Sequence, residues 1–395
     1  MKVSIGQPKQ KDCFFLLGYT LYLFFQILKY SFYSAIIPDI VFKGVLALCL
    51  GLFICGELMY GKLFRKNILE YFCIVFFVAI CLYLHFANLS FVILVVFFGR
   101  NTDFKHICQT TIIVTAIGLG VVFISAKIGL ITDYYGYRGD GTKRSYLGFR
   151  YPLFAPGFLV NMLVAYIYIS NAKITVLKGI AIAAFSYLVF SITDARLSFL
   201  LSISMIVMVF LYQWGKKHTH RKSIIHKLMI PIFPAFTVVS LIITMLYSAN
   251  DYRWRFIDSI LAKRLQYGQR SLLLYGVKLF GNANIDWAGF SIGSDGTLPI
   301  YTADMVYVDN VYIHILQRYG IVFTLLVLIT LTHVMVILYK KKDYVLQMLF
   351  ALFAIHGLID NQVIYVCFNV LLFAMFIEIH AFYNWPSRKK SVPRE

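Results

Sequence analysis

Ile321–Tyr339 reads IVFTLLVLITLTHVMVILY, and Lys340, Lys341 and Lys342 follow at once. The run contains no Asp, Glu, Lys or Arg. A helix rising 1.5 Å per residue needs about 20 apolar residues to cross the hydrocarbon core of a bilayer. Lysines at one end of such a run mark its cytoplasmic side. Similar runs recur in both directions. The expected spans are 14–30, 38–58, 68–83, 86–98, 107–126, 152–170, 177–193, 196–213, 229–247, 315–339, 344–360 and 362–382. The pair 68–98 is too long for one crossing and short for two, which suggests a tight hairpin or a re-entrant pair interrupted at His85 and Asn88.

Composition agrees with that reading. Of the 395 residues, 60% are hydrophobic and 14% charged, against about 45–50% and 25% in an ordinary soluble domain. The mean hydropathy is +0.75. We therefore expect an all-α integral membrane protein, a single polytopic domain over 1–395 with about 12 transmembrane helices. The polar start leads into the first span without a small-residue cleavage site, so that span is expected to be retained.

The net charge of +19 does not point to nucleic acid, because the basic residues form short clusters between apolar runs rather than one stripe. Lys62, Arg65, Lys66, Arg100, Lys105, Lys216, Lys217, Lys340–Lys342 and Arg388–Lys390 fall in alternate connections. Both termini are thereby expected in the cytoplasm. The seven cysteines lie in or beside apolar spans without metal-ligand spacing and read as buried free thiols. The histidines form no metal motif either, and no cofactor is implied.

The opposite side is marked by arginine: Arg138, Arg144, Arg150, Arg196, Arg253, Arg255, Arg264, Arg270 and Arg318. Topology needs only positive charge, whereas the planar guanidinium grips phosphate or carboxylate oxygens in pairs. An outer face rich in arginine suggests a bound polyanion. Two outer connections, 127–151 and 248–308, exceed ordinary loop length and are too rich in Tyr, Trp and Arg to read as disordered. The larger is expected to hold interfacial helix between Arg253 and Phe280, where Ile257, Ile260, Leu261 and Leu265 recur near helical spacing, and then a glycine-punctuated lid over 281–299.

Candidate chemistry concentrates just before the long apolar run. Counting back about 20 residues from Lys340 puts the membrane surface near Gly320. Asp309, Asn310, His314 and Arg318 then stand outside it, the last three on one helical face. Asp309 can serve as a general base or simply as a helix cap, and His314 as a second base or a packing residue. The turn Asp360–Asn361–Gln362 reads as a polar surface turn.

The stretch Asp309–Asn310–Val311–Tyr312–Ile313, followed by Leu316 and Arg318–Tyr319–Gly320, resembles the late outer segment of the O-antigen ligase and polymerase superfamily. Three further stretches resemble that family's motifs in order. These are Leu147–Gly148–Phe149–Arg150–Tyr151–Pro152 with Asn161, then Asp194–Ala195–Arg196–Leu197–Ser198, then Ile257 to Leu265 with Phe280–Gly281. Asp309 stands where ligases carry a histidine, which favours a capsular or exopolysaccharide polymerase.

The resemblance implies transfer of a glycan from undecaprenyl pyrophosphate to a sugar hydroxyl on a second lipid-linked unit. It places this at the outer face of the bacterial cytoplasmic membrane, with a chain-length regulator and a flippase as candidate partners. It implies Asp309, Arg264, Arg196 and His314 as catalytic residues and Arg150, Arg270, Arg318, Asn310 and Tyr312 as substrate-binding ones. Tyr267, Trp287 and Tyr312 are candidates to stack on sugar rings. The alternatives are a ligase differing in acceptor, and a transporter of lipid-linked sugars. A transporter predicts midplane charges and paired broken helices, which the sequence does not display.

Overall fold

The computed structural model describes residues 10–59, 68–84, 87–137, 141–218, 222–299 and 306–383. His85, Arg138, Lys62, Arg65, Lys66 and the C-terminal basic cluster lie outside the described residues, as do both chain ends. The described residues are mostly helical. In order come α1 (Gln10–Tyr30), α2 (Tyr33–Ile36), α3 (Asp39–Met59), α4 (Ile68–Tyr83), α5 (Ala87–Phe98) and α6 (Phe104–Lys127). A two-stranded antiparallel hairpin follows, β1 (Tyr135–Tyr137) paired with β2 (Lys143–Ser145). Next are α7 (Phe154–Ile169), α8 (Val176–Thr193), α9 (Arg196–His218), α10 (Lys222–Leu228) and α11 (Ile232–Leu246). The chain ends with α12 (Tyr252–Ile260), α13 (Arg264–Tyr275), α14 (Val311–Lys341), α15 (Tyr344–His356) and α16 (Leu371–Tyr383).

Among the described residues, α1, α3, α6, α8, α9 and α14 are long and apolar enough to cross a membrane. The apolar helices α4, α5, α7, α11, α15 and α16 are shorter, at 10–17 residues. The core is apolar and aromatic: Tyr19, Leu23 and Ile27 of α1, Val334 and Leu338 of α14, Phe350 of α15 and Phe373 of α16 are fully buried. The outside is apolar as well. Ile180, Leu200, Leu211, Ile242 and Met245 are exposed on the flanks of α8, α9 and α11, an arrangement that water would penalise and lipid does not.

Four features differ from the sequence reading. The last expected span, 362–382, becomes helical only at Leu371, because 361–370 form a short 3-10 turn and irregular backbone. Irregular backbone inside an apolar bundle survives only if its polar groups are satisfied. Asn161 of α7 does this: its Oδ1 accepts from Val370 N at 2.8 Å and its Nδ2 donates to Cys367 O at 3.0 Å. The Asn161 of the resemblance therefore acts as a backbone clamp. Arg100, read as an inner-loop charge, is buried between Glu57 at 2.6 Å and Glu70 at 3.3 Å, so α3 and α4 supply the carboxylates that neutralise it. The described cysteines are free as expected, but Cys13 and Cys55 are exposed rather than buried.

The fourth difference is a break in α14. Gly320 has φ 89° and ψ 174°, outside helical geometry, and divides a short N-terminal segment from the long apolar run. There the backbone of 278–282 lies against the helix. Asn282 N donates to Arg318 O, and Ile321 N and Val322 N donate to Lys278 O and Leu279 O, all at 3.1 Å. A Cβ at position 320 would clash with Gly281 N, and one at Gly281 would meet Arg318 O at 2.5 Å. Glycine at both positions lets the large loop dock on α14. Gly320→Ala is expected to cost about 1–3 kcal/mol, from the positive φ and the backbone clash together. This would appear as a lower melting temperature in detergent and faster proteolysis of 276–299.

Candidate active site

Both long connections fold over the same end of the bundle. Arg150 joins them: its Nη1 donates to Ile292 O at 3.2 Å, its Nη2 to Lys29 O at 3.1 Å, and its own carbonyl accepts from Ile292 N at 2.9 Å. Tyr151, Trp287, Tyr307 and Asp360 then line one polar cavity of about 170 Å³ together with Arg264 and Asp309.

The placement of Arg264 follows from local chain chemistry. The interfacial helix expected between Arg253 and Phe280 is divided into two, because Ala262 (φ 53°) and Lys263 (φ 61°) both adopt left-handed backbone. Side chains with a Cβ rarely accept that conformation, and the surroundings must compensate. Asp258, 2% exposed, provides the compensation. Its Oδ1 accepts from Leu265 N at 2.8 Å and its Oδ2 from Gln266 N at 3.4 Å, while Lys263 N donates to its carbonyl at 2.8 Å. The carboxylate thus caps α13 from the preceding helix and sets Arg264 at the first position of α13. The guanidinium donates from Nη1 to Leu261 O at 3.2 Å and meets Asp309 Oδ2 through Nη2 at 3.1 Å.

Asp309 is not the cap of α14. Asn310 takes that role, accepting from Tyr312 N at 3.0 Å and Ile313 N at 3.2 Å and donating to Ser240 Oγ of α11 at 2.9 Å. The carboxylate one residue earlier is left to Arg264 and the cavity. It is 27% exposed and lines the cavity. Burial pushes its pKa up to about 6; Arg264 opposes the shift and the nearby Asp360 carboxylate adds to it. Burial likewise raises the Tyr307 phenol, helped by Asp309.

Of the other sequence candidates, His314 and Arg318 share a face as expected, and both meet Trp287. The His314 ring lies 4.6 Å from the indole and the Arg318 guanidinium 5.1 Å from it. His314 Nδ1 is 3.2 Å from Asn361 Nδ2, and Asn361 also donates to Val308 O at 3.0 Å. Arg318 donates to Ile285 O at 2.9 Å. The indole Nε1–H in turn reaches Ser271 Oγ at 2.9 Å, and Ser271 bonds the buried Gln317 at 2.8 Å. This polar chain fixes the wall of the cavity.

Tyr312 does not face the cavity. It is 5% exposed, and its hydroxyl donates to Ala354 O at 2.7 Å. Tyr267 packs on Tyr307, with ring centres 4.5 Å apart. Arg196 lies at the rim: its neighbour Leu197 lines the cavity, while Arg196 itself is 57% exposed and pairs with Asp194 at 3.2 Å. Arg270 is half-buried on α13 and lines neither this cavity nor the one beside it.

Sequence reasoning missed Asp360 and Asn361 as site residues. Asp360 Oδ1 caps the following turn through Gln362 N at 2.9 Å, and its Oδ2 lies 3.2 Å from His356 Nε2. Their distance along the chain from Asp309 hid them. The two segments meet only in the fold, where Val311 N donates to Gly357 O at 2.7 Å and Asn361 Nδ2 to Val308 O at 3.0 Å. Comparison with known protein families, curated proteins and solved structures gives no match.

Proposed function

We propose that this chain is a membrane glycosyltransferase. It would join oligosaccharide units carried on undecaprenyl pyrophosphate into a surface polysaccharide, at the outer face of the bacterial cytoplasmic membrane. Alternate placement of the basic clusters supports about 12 crossings with both termini inside. The observation that carries the reading is the Arg264–Asp309 pair. Segments about 45 residues apart in sequence bring a cation and a carboxylate of raised pKa into the wall of one polar cavity, beside aromatic rings suited to sugars.

The reaction assigns a role to each group. The acceptor hydroxyl oxygen bonds to the anomeric carbon of the donor glycan, and its proton passes to the Asp309 carboxylate. The bond from that carbon to the pyrophosphate oxygen breaks, and the electron pair leaves on the pyrophosphate. Arg264 exchanges its bond with Asp309 for the phosphate oxygens, which stabilises the departing charge and frees the base at the same step. Arg196 at the rim and Arg318 behind Trp287 add positive potential, and Trp287 and Tyr307 offer apolar faces to the sugars.

The test is incubation of the purified protein in nanodiscs with a lipid-pyrophosphate-linked repeat unit, read by gel and mass spectrometry. A ladder of lengthening glycans on lipid is expected. Transfer of one glycan to a different acceptor without a ladder would indicate a ligase. Movement of intact substrate between leaflets without new bonds would replace the enzyme with a transporter.

A further inference from the structure

Beside the polar cavity lies a second one, of about 210 Å³, between α11 and α13. The two share Arg264, Val308, Asp309 and Ile359, so the ion pair forms part of the partition between them. The second cavity is the more apolar of the two, with Val239, Ile243, Leu261, Leu265, Ile313 and Leu358 in its lining. Val239 lines it and is also 44% exposed, so the cavity opens on the flank of α11. Ile242, Met245 and Leu246 are exposed on the same helix, and Ile257 and Ile260 on α12. Arg264 adds one more observation. Its Nε is buried without a hydrogen-bond partner among the described residues, which leaves one donor of the guanidinium unused by the protein.

We propose that this second cavity holds the isoprenoid segment next to the phosphates of the lipid-linked donor. The Arg264–Asp309 partition would then divide the substrate into glycan on one side and hydrocarbon on the other. This rests on the reading under Proposed function. The physical argument is covalent continuity. The pyrophosphate held at Arg264 carries the tail on its second phosphate, so the tail must leave by an apolar path that begins beside Arg264 and reaches lipid. A larger apolar groove of about 390 Å³ between α7, α8 and α9 touches neither Arg264 nor Asp309 and does not meet that requirement. Gly268 lets α13 approach α11, since a Cβ there would stand 3.2 Å from Thr244 Cγ2. A larger side chain at Gly268 or Ile243 occupies the space the tail would use.

The experiment uses the full chain in phosphatidylethanolamine–phosphatidylglycerol nanodiscs with a polyprenyl pyrophosphate bearing a diazirine on its first isoprene unit. Crosslinks are mapped by mass spectrometry. We expect labels on 239–246 and 261–268, competed by unlabelled polyprenyl pyrophosphate and unaffected by excess phosphatidylglycerol. Ile243→Trp is expected to reduce them about tenfold or more, by filling the cavity. Gly268→Leu is the second variant should the first fail to accumulate. Labels in the α7–α9 groove, no labels, equal competition by phosphatidylglycerol, or undiminished labelling of a folded variant would each overturn the proposal. Because labelling reads binding alone, a wild type that labels here but builds no ladder would keep the tail site and remove the polymerase. A ladder without these labels would remove only the tail site.

Discussion

Arg264→Lys is expected to lower the initial rate of glycan elongation by at least about tenfold, and Arg264→Ala by about 10²–10³, the usual loss when one preorganised charge donor is removed. The lysine variant is the more informative because it keeps the charge. Arg264 uses two nitrogens at once, Nη1 on Leu261 O at 3.2 Å and Nη2 on Asp309 at 3.1 Å. That fork is held by the α13 cap and can turn from carboxylate to phosphate without losing its anchor. A lysine offers one nitrogen on a flexible stem and must choose. The side chain is part-exposed and lies at a cavity, so neither variant should prevent accumulation in the membrane. Rates would be compared at equal protein by counting elongation products over time. Wild-type rates in both variants would remove Arg264 from the site. A full rate in the lysine variant alone would retain the charge and discard the fork.

The sequence made the apolar helices legible, because lipid demands an apolar exterior as well as an apolar core and so leaves little periodicity to misread. Each expected span contains a helix, and the residues selected around 264 and 309 do meet. The helix interruptions were not legible. The corner at Ala262–Lys263 carries no glycine to announce it, and it exists because Asp258 caps the next helix through space. The irregular stretch 361–370 looked like helix because its residues are apolar, and its stability comes from an amide about 200 residues earlier. Arg150 and Tyr312 show the limit of reading residue type alone. An arginine whose Nη1 and Nη2 both meet backbone carbonyls holds loops together, and a tyrosine bonded to Ala354 O packs a core. Asp360 escaped notice because a short polar turn between apolar runs ordinarily faces solvent, and only tertiary packing turned it toward Asp309.

Asp309→Asn tests the chemical step. The active form of a general base is the carboxylate, so activity should rise with pH through about 6 and level off above it, following the pKa to which burial pushes Asp309. The asparagine variant is expected to lose about 10²–10⁴ in rate, the usual contribution of a positioned base, and to lose this acidic limb as well. The causes of the shift provide a second check with a definite sign. Asp360 raises the Asp309 pKa by like-charge repulsion. Asp360→Asn should therefore move the limb to lower pH, while removal of the Arg264 charge should move it to higher pH. A pyrophosphate bound at Arg264 brings negative charge beside the carboxylate and draws away its cation. The limb seen at saturating donor should thus lie above the limb for kcat/KM. A limb that persists near its original pH in Asp309→Asn would assign the proton transfer to another group.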